Sequence, residues 1–254
     1  MTSISRGTWP SRSPWNSRIV VNAARVGRVR GRINAAARFV ASAPLTYLWL
    51  VVLLATTLLQ RVLTTRQVHE LVLDDSTNIA HLVSDPLQVL VNSLFWIDGR
   101  YWFPYLVLFT LFLAPVERWL GHLGLVTVGL TAHVGATYLS EGLLWLAIRY
   151  HQAPERMVHA RDIGVSYFLV GVMAVLAYRI VRPWRWFYCA VLLIVFGFPV
   201  IAMDRVALEF TAIGHFVSLM IGFSFYPMAR HHPRRFLEPP RTARWQDHRE
   251  KREF

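Results

Sequence analysis

The chain has 254 residues, 54% of them hydrophobic, with a mean hydropathy of +0.36. That composition excludes an ordinary soluble domain, and a single cysteine, Cys189, excludes a disulfide framework and a thiolate metal site. The net charge of +12 is compatible with nucleic-acid binding as a number, but its distribution points elsewhere.

Residues 1–43 read as a basic N-terminal segment. The first 16 are rich in Ser, Arg and Pro, a composition that predicts no fixed structure. From Ser17 to Val40 the pattern turns helical and cationic. Ile19, Val26, Val29 and Ile33 share one face, and Arg18, Arg25, Arg28 and Arg32 share another. This predicts an amphipathic helix lying on a membrane surface.

Residues 44–227 read as a membrane domain with apolar stretches near 44–63, 101–119, 123–146, 163–181, 184–203 and 207–227. A helix needs about 20 apolar residues to cross the hydrocarbon core. The first stretch has no charge before Arg61. It begins well inside the chain and is long enough to span, unlike a cleavable signal. The second is the shortest and carries Pro104 near its start. Backbone groups in lipid must be satisfied within the segment, and no alternating barrel pattern is present, so helices are expected. The predicted fold class is therefore an all-α membrane protein of six transmembrane helices. Its first outer loop, roughly 64–100, is long. There Asp85 is placed to cap a helix beginning at Pro86. Leu87, Leu90, Val91, Leu94 and Phe95 form its apolar face, which predicts a half-embedded helix. No internal repeat is visible, which counts against an inverted-repeat transporter. Residues 228–254 read as a basic tail.

Charge sets the predicted orientation. Arg6, Arg12, Arg18, Arg25, Arg28, Arg30, Arg32 and Arg38 precede the first stretch, and eight further cations follow the last. Arg182 and Arg185 in the 4/5 connection join that side. The acids Glu70, Asp74, Asp75, Asp85, Asp98, Glu155, Asp162 and Asp204 gather on the other. The positive-inside rule then puts both termini in the cytoplasm. The expected partners of the basic ends are anionic lipid headgroups, not nucleic acid. Only one of the 27 cations is Lys, which points to a GC-rich bacterial genome and so to an inner membrane. Trp102, Trp119, Trp145, Trp184 and Trp186 fall near stretch ends, as an interfacial belt would require.

Two residues could carry chemistry. Ser166 stands in "DIGVSYFLVG", near the outer end of the fourth stretch. His215 stands in "EFTAIGHFVSLMIGF", early in the sixth. A serine hydroxyl is a poor nucleophile unless a base takes its proton, and ionisable residues at membrane depth are functional candidates. Gly214, Ser218 and Gly222 recur every four residues, a small-residue ridge that lets a second helix approach. Gly164 and Gly171 offer matching thin places. His133, midway along the third stretch, is expected to make a structural hydrogen bond to a neighbouring helix. Glu141 is expected at the outer surface, and Asp204 and Arg205 in a solvated outer turn. No metal site or cofactor is expected.

Taken together, "GVSY", "GHFVSLMIG" and "PVERWLG" resemble the rhomboid family of intramembrane serine proteases, over roughly residues 80–227. The first is similar to the family's Gly-x-Ser-Gly motif and the second to its catalytic-His helix. The third, with Glu117, Arg118 and Gly121, is similar to its turn between helices two and three. The resemblance implies Ser166 as nucleophile and His215 as base, without metal or cofactor, acting on a transmembrane protein substrate. The chain departs from the family at several points. Tyr167 replaces the Gly after the serine, where a ring could occlude the site. Tyr101 and Tyr105 occupy the positions of the family's His-x-x-x-Asn, so with Gly164 and Tyr167 they are the candidates for lining an oxyanion site. Val170 replaces an aromatic that stacks on the histidine, and Trp96 and Arg100 are not adjacent. Two functions stay open: a protease, or a non-cleaving relative that binds or escorts transmembrane clients.

Overall fold

The computed structural model describes residues 30–64, 67, 77, 79–97, 101–160, 162–202 and 210–231. The expected helix from Ser17 falls largely outside these residues, as do Glu70, Asp74, Asp75, Asp98, Arg100, Asp204, Arg205 and most of the basic tail. The chain divides into two units, residues 1–42 and 43–254. In the first, residues 30–41 form helix α1, whose side chains are exposed.

The described residues of the second unit are almost wholly helical. Helix α2 is Pro44–Val62, with Pro at its first position, where its missing N–H costs nothing. Thr46, Trp49, Leu50, Leu53, Thr57 and Gln60 are buried along one stripe, while Leu48, Val51 and Val62 face outward. Short helices α3 (Ile79–Ser84) and α4 (Pro86–Asn92) follow, and α4 runs into a 3-10 turn at Ser93–Phe95. Pro86 starts α4 as expected, but the Asp85 side chain makes no capping hydrogen bond. The anticipated apolar face of α4 divides in two. Leu90 and Leu94 turn inward with Val89, whereas Leu87 and Val91 are exposed. Outward leucine is what a helix half-sunk in lipid presents.

Helix α5 (Trp102–Leu108) passes through a π turn at Phe109–Leu113 into α6 (Ala114–Arg149). Gly121 breaks α6, at φ 77° and ψ 176°, a conformation that a Cβ makes costly. Helix α7 is Val165–Leu176, closed by a 3-10 turn at Ala177–Arg179. Helices α8 (Trp184–Ala202), α9 (Phe210–Ser224) and α10 (Tyr226–His231) complete the unit. Among the described residues, four helical runs are long and apolar enough to cross a membrane: Pro44–Val62, Trp102–Arg149, Trp184–Ala202 and Phe210–His231. Six separate spans are thus not seen by this measure. The second and third predicted stretches lie in one 48-residue run broken at Gly121, and the fourth, Val165–Arg179, is shorter.

Helices α6, α7 and α9 pack closely on one another and form the centre. The ridge of Gly214, Ser218 and Gly222 is the reason. A Cβ on Gly222 would overlap the Gly171 carbonyl and Ala174, and one on Gly171 would overlap Ala132. Ser218 Oγ donates to the Tyr167 carbonyl at 2.5 Å. Around this seam lies an apolar core that includes Trp49, Phe109, Leu113, Leu125, Val128 and Phe168. Trp49 meets Phe109 and Phe168 edge to face, a favoured geometry for aromatic quadrupoles. Helix α8 buries little, chiefly Leu192 and Gly197, and rests mainly on α9.

Candidate active site

Ser166 is the second residue of α7, and His215 lies one and a half turns into α9. The tight α7–α9 seam brings them together. Ser166 Oγ lies 3.0 Å from His215 Nε2, within the reach a general base requires. The hydroxyl also faces the Ile163 carbonyl at 3.2 Å. The Thr211 backbone, one turn earlier, lies near the His215 ring. Serine activation needs the tautomer in which Nε2 is the acceptor. Both side chains are half-buried, sheltered but not sealed.

The start of α7 supplies more than the nucleophile. The first N–H groups of a helix have no intrahelical acceptor, and the helix dipole makes that end positive. Ser166 sits in this first turn. Gly164 is required just upstream: a Cβ there would overlap the His133 ring. His133 is fully buried, with Nε2 3.0 Å from the Leu90 carbonyl and 3.4 Å from Ser93 Oγ. It ties α6 to α4.

Tyr167 does not occlude the dyad. Its ring is fully buried over Gly214, where a Cβ would overlap it, and it meets the His215 ring edge to face at 5.0 Å. Its buried hydroxyl lies near Asp162 and Ser140 and has no hydrogen-bond partner. The sequence pattern gave Gly214 a helix-packing role and missed this one. Its lack of a side chain, directly before the histidine, is the signal that room for the ring exists. The oxyanion candidates on the second stretch are placed less favourably. Tyr101 is 72% exposed, and the Tyr105 ring meets Phe109 at 6.2 Å. Val170 packs with Ala174, Leu192 and Leu219, away from any stacking role. Phe196 of α8 also reaches the His215 ring, at 5.9 Å.

Glu141 corrects the expectation of an outer-surface position. It is 2% exposed, and neither carboxylate oxygen has a hydrogen-bond partner. Asp162, assigned to the outer charged loop, is 3% exposed as well. Its Oδ1 accepts from the Ile163 N–H at 2.9 Å, and its carbonyl accepts from Thr77 N–H at 3.1 Å. Burial pushes the Asp162 carboxyl up to about 6.

At the opposite end, Glu117 gathers the turn. Its Oε1 accepts from Leu45 N–H and its Oε2 from Thr46 N–H, both at 2.8 Å, and Thr46 Oγ donates to Oε2 at 2.5 Å. His122 Nδ1 lies 2.8 Å from Oε1. The carboxylate thereby caps α2, and Gly121 supplies the break that lets His122 turn back to it. Arg118, the next residue along the turn, is half-buried.

No curated protein and no solved structure matched the chain. A protein-family model described as "Rhomboid-like protein" matches residues 38–235. That match covers most of the 254 residues, and with them the Glu117 turn, the Ser166 helix and the His215 helix. This chain is an integral membrane protein belonging to the rhomboid-like family.

Proposed function

We propose that the chain is an intramembrane serine protease whose nucleophile is Ser166 and whose base is His215. The observation that carries this is the 3.0 Å contact between Oγ and Nε2, held by a helix seam that admits no larger residues. In the first step Oγ bonds to the scissile carbonyl carbon as its proton passes to Nε2. The developing oxyanion lies at the N-terminus of α7, where the Ser166 N–H donates. His215 then gives that proton to the leaving amine and an acyl-serine ester remains. Water attacks the ester, its proton passing to Nε2, and collapse returns the hydroxyl to Ser166. The substrate is a transmembrane protein cleaved within or beside its helix. The lightly attached α8 gives it lateral access to the dyad.

The same reading includes six crossings, counting the run broken at Gly121 as two and the short α7 as one. It places both basic ends on the cytoplasmic side of a bacterial inner membrane, against anionic lipid. Purified protein in vesicles is given a helix reporter and a fluorophosphonate probe that labels activated serines. Ser166→Ala and His215→Ala each abolish cleavage and labelling while folded protein persists. Cleavage that survives both substitutions refutes the dyad.

A second reading, a non-cleaving protein that holds transmembrane clients, is favoured by one observation. The positions of the family's oxyanion side chains hold Tyr101, which faces out, and Tyr105, which packs on Phe109. It predicts a wild type that is never labelled, with a client association that Ser166→Ala leaves intact.

A further inference from the structure

We infer that Tyr167 is a positioning residue for His215, its ring seated over Gly214 and its buried hydroxyl end set beside Asp162. This deepens the protease reading and rests on it. An imidazole that serves as base must hold one rotamer, because an ångström of misplacement costs rate steeply. In a dyad no carboxylate grips the ring. Here the imidazole is walled by Tyr167 of α7, edge to face at 5.0 Å, and by Phe196 of α8 at 5.9 Å.

Three observations single out Tyr167 as the fixed wall. Its ring fills the space opposite Gly214, the residue immediately before His215, so a large side chain on α7 is matched by none on α9. Its backbone is pinned, since its carbonyl accepts from Ser218 Oγ. Its hydroxyl is fully buried and faces Asp162 and Ser140, with Glu141 close by. Asp162 is itself held at both ends of its residue, by Ile163 N–H on Oδ1 and by Thr77 on its carbonyl. Its remaining oxygen, Oδ2, is buried without a hydrogen-bond partner. Phe196 lies on a helix that buries little, so it cannot supply the same rigidity.

The test measures reporter cleavage and fluorophosphonate labelling of Ser166 in vesicles for Tyr167→Phe, Tyr167→Leu and Gly214→Ala. Tyr167→Leu is expected to lower kcat by about 10²-fold, the scale of a misplaced catalytic group, with KM unchanged. Tyr167→Phe keeps the ring and is expected to restore most of kcat. Gly214→Ala is expected to impair the wild type but to cost little more in the Tyr167→Leu background, since the overlap is gone and coupled sites are not additive. Tyr167→Met, which reaches further without a ring, replaces Leu if folded yield drops. If wild type is labelled and Tyr167→Leu or Tyr167→Met matches it in kcat, this inference fails while the protease reading stands. If wild type itself is never labelled at Ser166, both fall.

Discussion

Glu117→Gln tests how the membrane domain is tied together. The carboxylate is 2% exposed and receives the N–H groups of Leu45 and Thr46, the Thr46 hydroxyl and His122. Leu45 and Thr46 are the second and third residues of α2, so their N–H groups have no partner inside that helix. A negative charge there also meets the positive end of the α2 dipole. Gln keeps the shape but offers one acceptor oxygen. If that oxygen takes the Oε1 place, the amide NH2 confronts the Thr46 N–H, and the reverse placement confronts Leu45. One buried donor is orphaned either way, at about 1–3 kcal/mol, and the bonds that remain lose their charge assistance. The expected loss is therefore roughly 2–4 kcal/mol. Reversible unfolding in mixed micelles, titrated with a denaturing detergent, measures it. Thr46→Val, which removes the hydroxyl alone, should cost less in the Glu117→Gln background than in wild type, because the two share one network. A Glu117→Gln protein within about 0.5 kcal/mol of wild type, the range of ordinary surface changes, would refute the reasoning.

Three further outcomes follow from other residues. Gly121→Ala forces a Cβ into a backbone with φ 77° and should cost about 1–3 kcal/mol; an unchanged unfolding midpoint counts against the break. Asp162 has its folded value raised from 3.8 to about 6 by burial, so folding favours its protonated form. Its stabilising contribution is whole below pH 3.8 and is lost as pH rises through 6, by roughly 3 kcal/mol in total. Asp162→Asn should flatten that part of the stability–pH curve, and an unaltered curve would assign the slope to another group. His133→Leu removes the ring that meets the Leu90 carbonyl at 3.0 Å. It should cost about 2–3 kcal/mol and speed proteolysis within Pro86–Phe95, and unchanged cleavage there would show that α4 is held by other contacts.

The parts legible in the sequence share a physical cause. Apolar length and the Gly214–Ser218–Gly222 spacing are local properties of one segment, and each acts through hydrophobicity or size. They were enough to place most of the helices and to mark a ridge for close packing, while Ser166 and His215 were candidates on their depth and on the family resemblance. Pro86 likewise announced a helix start, since its fixed φ and absent N–H suit that position in any context.

Other features depend on what stands opposite, and no segment carries that information alone. Tyr167 reads as an obstruction until Gly214 is seen beneath it. Glu141 reads as a surface acid because charge predicts exposure. Only the packing of α6 against the start of α7 buries it beside Asp162. The inward and outward sides of α4 are set by the neighbours that cover Leu90 and Leu94 and leave Leu87 bare. The sequence by itself determined a helical membrane protein with a serine and a histidine at one level. The tertiary structure decided that they meet at 3.0 Å, because hydrogen-bond reach is a property of two packed backbones and not of either helix.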